Sequence, residues 1–342
     1  MRPFCVGVLK DRHHSMTSRC SQNESGAAWT IGRLLDWTRD HFQARHVDGP
    51  RLSAELLLAN VLGCRRIDLY ARYTDEPTPD QRASFREMVQ AAAEHKPIAY
   101  LIGVKEFYSL NFRVTSDVLI PRPETELLVE RALAWCEERL RIADCGLRID
   151  TRVSASPIPN PQSAILNRIE LLDIGTGSGC IAVTLAKRQP AVHAVATDVS
   201  ESALTVAREN AGRHGVADRV RCVQADMLDL PSEVVPDGGF DIIVSNPPYV
   251  AENEYDSLPK NVRDYEPAAA ILSGGDGLEA IRRIAEGIRR MMRPGGTLII
   301  EVGHTQADAV EDIFTKTAQM KLHGRYKDLN GIDRAIQFTL PA

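Results

Sequence analysis

The sequence predicts an α/β protein, a doubly wound and mostly parallel sheet preceded by a small helical domain and a β-hairpin linker. Three observations predict it. First, from Ile169 onward, apolar runs (Ile169 to Ile174, Val192 to Thr197, Val220 to Gln224, Phe240 to Ser245, Thr297 to Val302) alternate with helical segments over roughly 178–189, 200–214, 276–292 and 305–318. Such alternation specifies parallel strands with helices on both faces. Second, Gly175-Thr176-Gly177-Ser178-Gly179 sits between the first of these strands and its helix. Glycines there let the chain turn sharply and bring backbone N–H groups against a ligand. Third, Asp198, Asp226 and Asn246 follow directly on strand ends, and parallel sheets bind ligands at the carboxyl ends of their strands.

Residues 1–27 contain the short apolar run Phe4 to Leu9 followed by Lys10, Arg12, His13 and His14. That run is too short and wrongly flanked for a secretory signal, so a disordered tail is expected, and no stretch reaches the ~20 apolar residues of a membrane helix. Residues 28–96 read as a helical domain concerned with substrate recognition. Thr30 caps a segment with Ile31, Leu34, Leu35 and Trp37; Leu52, Leu56, Leu57, Val61 and Leu62 mark a second; Thr78-Pro79 opens a third. Residues 97–119 are aromatic and β-branched around Ser109-Leu110-Asn111, the pattern of a hairpin linker. From 120 to 342 runs the sheet-bearing domain. It opens on Ile120-Pro-Arg-Pro-Glu-Thr-Glu126, where Glu124 and Glu126 complement a helix dipole. Pro157, Pro159 and Pro161 mark 145–168 as a surface insertion.

A net charge of −5 gives no global attraction to nucleic acid. The seven cysteines are scattered and form no C-x-x-C pair, so they read as reduced thiols of a cytoplasmic protein with no metal site. Arg282, Arg283, Arg289 and Arg290 lie opposite Leu278, Ile281, Ile284 and Ile288 on one helix and read as a solvated face.

The glycine loop has G-x-G-x-G rather than G-x-G-x-x-G spacing, which favours a nucleoside ligand other than a dinucleotide. Asp198 stands where an acidic residue accepts hydrogen bonds from both ribose hydroxyls. Asp226 is placed to accept from an adenine amine while Met227 packs on the ring, with a plain turn as the alternative. Asn246-Pro247-Pro248-Tyr249 joins a side-chain oxygen, a proline carbonyl and a flat ring. That combination suits a planar NH2 group, whether an amide or an exocyclic base amine.

Asp-Ile-Gly-Thr-Gly-Ser-Gly at 173–179, Asp198, Asp226 and Asn-Pro-Pro-Tyr at 246–249 together resemble the class I S-adenosylmethionine-dependent methyltransferases. Tyr100-Leu-Ile-Gly103, Glu106-Phe-Tyr108, Leu119 to Glu126, Tyr265-Glu-Pro267 and Gly274-Gly-Asp-Gly277 narrow the resemblance to the peptide chain release factor glutamine methyltransferases. The resemblance implies a seven-stranded sheet and S-adenosyl-L-methionine as cofactor, with S-adenosyl-L-homocysteine as product. It further implies cofactor contacts at Gly175, Thr176, Gly177, Ser178, Gly179, Asp198, Asp226, Met227 and Asn246, and a monomer acting on release factors. Asn246, Pro247, Pro248 and Tyr249 would hold and activate the glutamine amide. A ribosomal-protein glutamine, an adenine amine of nucleic acid and a non-catalytic nucleoside-binding module are the other readings.

Overall fold

The computed structural model describes residues 28–147 and 168–342. The tail expected at 1–27 lies outside them, as does the 148–167 part of the insertion expected at 145–168; residues 145–147 continue a helix.

The N-terminal helices are Ile31–Ala44 (α1), Pro50–Leu62 (α2), Asp68–Ala71 (α3) and Pro79–Ala93 (α4), packed around Leu35, Phe42, Leu57, Leu58 and Phe85. Thr30 caps α1 by accepting from the Arg33 N–H, and Thr78 with Gln81 forms a reciprocal capping box on α4. Each such cap is worth about 1 kcal/mol.

The linker differs from the pattern expected for 97–119. It begins with a short helix, Ile98–Ile102 (α5), and its hairpin pairs Val104–Phe107 (β1) with Leu110–Arg113 (β2), so the turn is Tyr108-Ser109 rather than 109–111. Tyr108 and Ser109 have φ of 50° and 60°, the left-handed pair that a two-residue hairpin requires. Non-glycine residues pay about 1–2 kcal/mol each for this. External contacts offset it: the Tyr108 N–H donates to Glu126 (2.8 Å) and the Tyr108 carbonyl accepts from Arg188 (2.9 Å).

The main sheet follows Glu126–Leu147 (α6). Its elements are Ile169–Ile174 (β3), Cys180–Arg188 (α7), Val192–Asp198 (β4), Glu201–Arg213 (α8), Val220–Gln224 (β5), Phe240–Ser245 (β6), Lys260–Arg263 (α9), Glu279–Met291 (α10), Met292–Glu301 (β7), Ala307–Lys316 (α11), Lys321–Lys327 (β8) and Asp333–Thr339 (β9). The strand order is β5-β4-β3-β6-β7-β9-β8, seven strands of which β9 alone runs opposite to the other six. β8 and β9 lack the continuous apolar run that marks the other strands. β8, at the sheet edge, keeps Lys321, Arg325 and Lys327, a charged edge that resists pairing with another chain.

Side chains alternate across the sheet. Leu172, Ile243, Leu298 and Phe338 pack under α10 and α11, whereas Leu171, Ile242 and Ile299 pack under α6 and α7. The strand ends are level: Ile174 pairs with Thr197 on one side and Ser245 on the other, and Asp198 pairs with Gln224. The residues that follow Ile174 and Ser245, and those that end β4 and follow β5, therefore meet along one edge.

Further ties join the helical domain and linker to the sheet. Asn210 of α8 accepts from the Arg113 N–H (2.7 Å) and donates to the carbonyls of Arg113 (3.0 Å) and Ser178 (2.8 Å). Tyr265 donates its hydroxyl to the carbonyl of Glu94 at the end of α4 (2.9 Å), while buried Glu266 accepts from the Ile120 N–H (3.1 Å) and pairs with Arg122.

Candidate active site

β3 and β4 part from β6 at the centre of the strand order, and a ligand crevice is expected outside their carboxyl ends. A cavity of about 320 Å³ lies there, within the roughly 300–1,000 Å³ usual for small-molecule sites. Gly175 and Gly177 form its floor, with φ of 69° and 54°. A Cβ at either would meet nothing within 4 Å, so the glycines serve the backbone turn and leave open space above it. Gly179, the third, does not line the cavity. A Cβ there would stand 3.1 Å from the Cβ of Ala207, so this glycine lets α7 approach α8.

Thr176 and Ser178 are buried beneath the loop. The Thr176 hydroxyl donates to Asp173 (2.7 Å), which also accepts from the Ala182 N–H (3.2 Å). Burial pushes the Asp173 carboxyl up to about 6 against those two bonds. These residues shape the loop from below rather than from the cavity side.

Asp198 lines the cavity, and each carboxylate oxygen accepts one backbone N–H, from Gly177 (2.9 Å) and Ser200 (3.0 Å). Burial raises its pKa, opposed by those N–H groups. A carboxylate offers about four acceptor positions, so two lone pairs remain for a pair of vicinal hydroxyls. The Asp198 environment and the open glycine floor thus fit a ribose and its nucleoside.

Asp226 and Met227 also line the cavity, Met227 at a φ of 54°. Asp226 is exposed and paired with Arg283 at 2.8 Å. Arg282 pairs with Asp276, and Arg289 donates to the Ala318 carbonyl. The solvated arginine face of α10 is thus engaged with its own domain.

Asn246 and Pro248 close the far wall. Pro247 is buried, and Tyr249 is half-buried, with its phenol pKa raised by burial and by nearby Glu301. The loop is fastened from outside: Gln306 donates to the Tyr249 carbonyl (3.0 Å), and the Val250 N–H donates to the Ile271 carbonyl (2.9 Å). Gly277, at a φ of 74°, comes so near that a Cβ would stand 2.4 Å from the Tyr249 carbonyl oxygen.

Behind Asn246 lies a buried pair that composition and spacing do not single out. The Asn246 amide NH2 donates to Thr125 Oγ1 (3.1 Å), and the Thr125 hydroxyl donates to Glu301 Oε2 (2.7 Å). Burial pushes the Glu301 carboxyl up to about 7, opposed by the Thr125 hydrogen bond and by Arg334. The available signal was an acidic residue at the carboxyl end of an apolar strand, as at Asp198.

The seven-stranded, mostly parallel sheet is that of class I S-adenosylmethionine-dependent methyltransferases, and S-adenosylmethionine is the methyl donor. Residues 33–103 match the family model described as the PrmC N-terminal domain, and residues 166–332 match that of a methyltransferase domain. The release factor glutamine methyltransferase of Rhodopirellula baltica is 40% identical over 316 residues, covering 92% of this chain and 98% of that protein. Its namesake in Geobacter sulfurreducens is 37% identical over 313 residues, covering 92% and 98%. That of Chlorobaculum tepidum is 38% identical over 309 residues, covering 90% and 96%. The chain belongs to the release factor glutamine methyltransferase family.

Proposed function

We propose that this protein, acting as a cytoplasmic monomer, methylates the side-chain amide nitrogen of the glutamine in the Gly-Gly-Gln loop of peptide chain release factors. The observation that carries this is Asn246, a side-chain amide held by a hydrogen bond to buried Thr125 at the wall of the nucleoside-sized cavity. The names of the relatives support the choice of acceptor. Among the described residues, no helix is long and apolar enough to cross a membrane.

Bound S-adenosylmethionine supplies a methyl group on a positively charged sulfur. The glycine loop and Asp198 would hold its nucleoside, Asp226 and Met227 would border the adenine, and Asn246 to Tyr249 would hold the acceptor. An amide nitrogen is a poor nucleophile because its lone pair is delocalised, so positioning supplies much of the acceleration. The Asn246 side-chain oxygen and the Pro247 carbonyl accept from the glutamine NH2. Those bonds strengthen as positive charge develops on nitrogen, and stabilisation that grows toward the transition state raises turnover. Pro248 and Tyr249 present apolar surface that excludes water. The N-protonated amide formed by the transfer is strongly acidic, so it loses its proton without a dedicated general base.

The test supplies methyl-labelled S-adenosylmethionine with a release factor, its Gln→Ala loop variant, ribosomal protein or DNA. Label is expected in the release factor alone. Label that survives Gln→Ala, or that enters ribosomal protein or DNA instead, would reassign the acceptor. Independently of any acceptor, Asp198→Ala is expected to weaken cofactor binding by about 10–100-fold, the worth of hydrogen bonds to a charged group. Titration calorimetry reads this directly, and an unchanged affinity would leave Asp198 as only a loop anchor for Gly177 and Ser200.

A further inference from the structure

We propose that Thr125 and Glu301 set the orientation of the Asn246 side chain, turning its carbonyl oxygen toward the substrate amide, and so act as positioning residues for the transfer. The proposal rests on the reading of Asn246 given above. An asparagine amide is nearly symmetric in shape but opposite in function at its two ends, since a half-turn exchanges an acceptor for a pair of donors. Only the oxygen can accept from a glutamine NH2; the reversed amide would present hydrogens to hydrogens.

The buried pair decides between the two. Glu301 ends β7 and Asn246 follows β6, and the pairing of Ser245 with Ile300 sets them side by side. Thr125, in the turn before α6, lies between them, bonded to Asn246 at 3.1 Å and to Glu301 at 2.7 Å. Thr125 and Glu301 are each 2% exposed, so water does not compete. An ionised carboxylate has no hydrogen to give, so the single Thr125 hydroxyl hydrogen goes to Glu301. The Thr125 oxygen is then left with lone pairs alone, and only the NH2 end of Asn246 can meet it. While Glu301 is ionised, the carboxylate, the hydroxyl and the amide have one hydrogen-bonding solution, which leaves the Asn246 oxygen as the acceptor presented to substrate.

The experiment measures turnover at alkaline pH, which favours the ionised Glu301 carboxyl, with release factor and saturating S-adenosylmethionine. Thr125→Val removes the hydroxyl at nearly constant volume. Its kcat is expected to fall about 10–100-fold, the worth of a hydrogen bond to a charged group. KM for the release factor and cofactor affinity should stay within about twofold, because remote contacts dominate ground-state binding. Thr125→Ser, which keeps the hydroxyl, is expected to recover turnover to within about threefold of the wild type. In an Asn246→Ala background, Thr125→Val should cause no further loss, as coupled residues are non-additive.

Three results would overturn the proposal: Thr125→Val keeping at least half of wild-type kcat, Thr125→Ser as slow as Thr125→Val, or fully additive losses with Asn246→Ala. Should Thr125→Val fold poorly, as judged by its melting temperature, Thr125→Ala makes the same comparison. Failure of the acceptor assignment shows separately, as absence of label in the release factor with wild-type enzyme. The variants are then compared on whichever acceptor takes label.

Discussion

Asn246→Ala is expected to lower methyl transfer by about a hundred- to a thousand-fold, the usual effect of deleting one hydrogen-bonding group aimed at developing charge. Cofactor affinity should stay within about twofold, because Asp198 and the glycine loop, proposed above to hold the nucleoside, lie on other strands. The substitution also leaves the Thr125 hydroxyl oxygen without the donor that now meets it. That penalty of about 1–3 kcal/mol falls on stability. Single-turnover transfer separates the two effects when run well below the melting temperature. A variant with full turnover would reduce Asn-Pro-Pro-Tyr to a turn that ends β6.

Gly277→Ala should act on the same loop from the opposite side. Its Cβ would stand 2.4 Å from the Tyr249 carbonyl oxygen and 2.8 Å from Gln306 Nε2, so the 246–250 loop and its anchor must separate. Overpacking costs about 1–3 kcal/mol, and a left-handed residue with a Cβ adds about 1–2 kcal/mol. Gly295→Ala is the matched control: its φ of 76° is nearly the same, yet its Cβ would meet nothing within 4 Å. Gly277→Ala is therefore expected to melt lower than Gly295→Ala, by roughly 2–12 °C for a domain of this size. Displacing the 246–250 loop, proposed above to hold the acceptor, by even about 1 Å is expected to cost ~100-fold in turnover, whereas Gly295→Ala should keep near-normal activity. Equal behaviour of the two variants would show that the loop tolerates the intrusion.

The central strands and their helices were legible because burial on both faces leaves continuous apolar runs, as in Phe240 to Ser245. β8 and β9 were not, since one is an edge strand and their pairing is a long-range choice that local pattern does not record. The hairpin turn was misplaced by sequence pattern because Tyr108-Ser109 contains neither glycine nor asparagine, and its left-handed backbone is held by Glu126 and Arg188. At the site, Gly175, Gly177, Asp198 and Asn246 stand out because each follows or ends a buried strand. Thr125 and Glu301 act through contacts 176 residues apart in the chain, which no spacing rule reveals.

Tyr265, Glu266 and Pro267 touch, in succession, the end of α4, the segment leading into α6, and the cavity at the strand ends. Three adjacent residues thus connect the helical domain to the cavity proposed to hold the nucleoside. Thermodynamic linkage then sets a reciprocal rule. If a docked partner that draws on α4 changes cofactor affinity by some factor, bound cofactor changes affinity for that partner by the same factor. Order of binding could alter the kinetics, but not that equality.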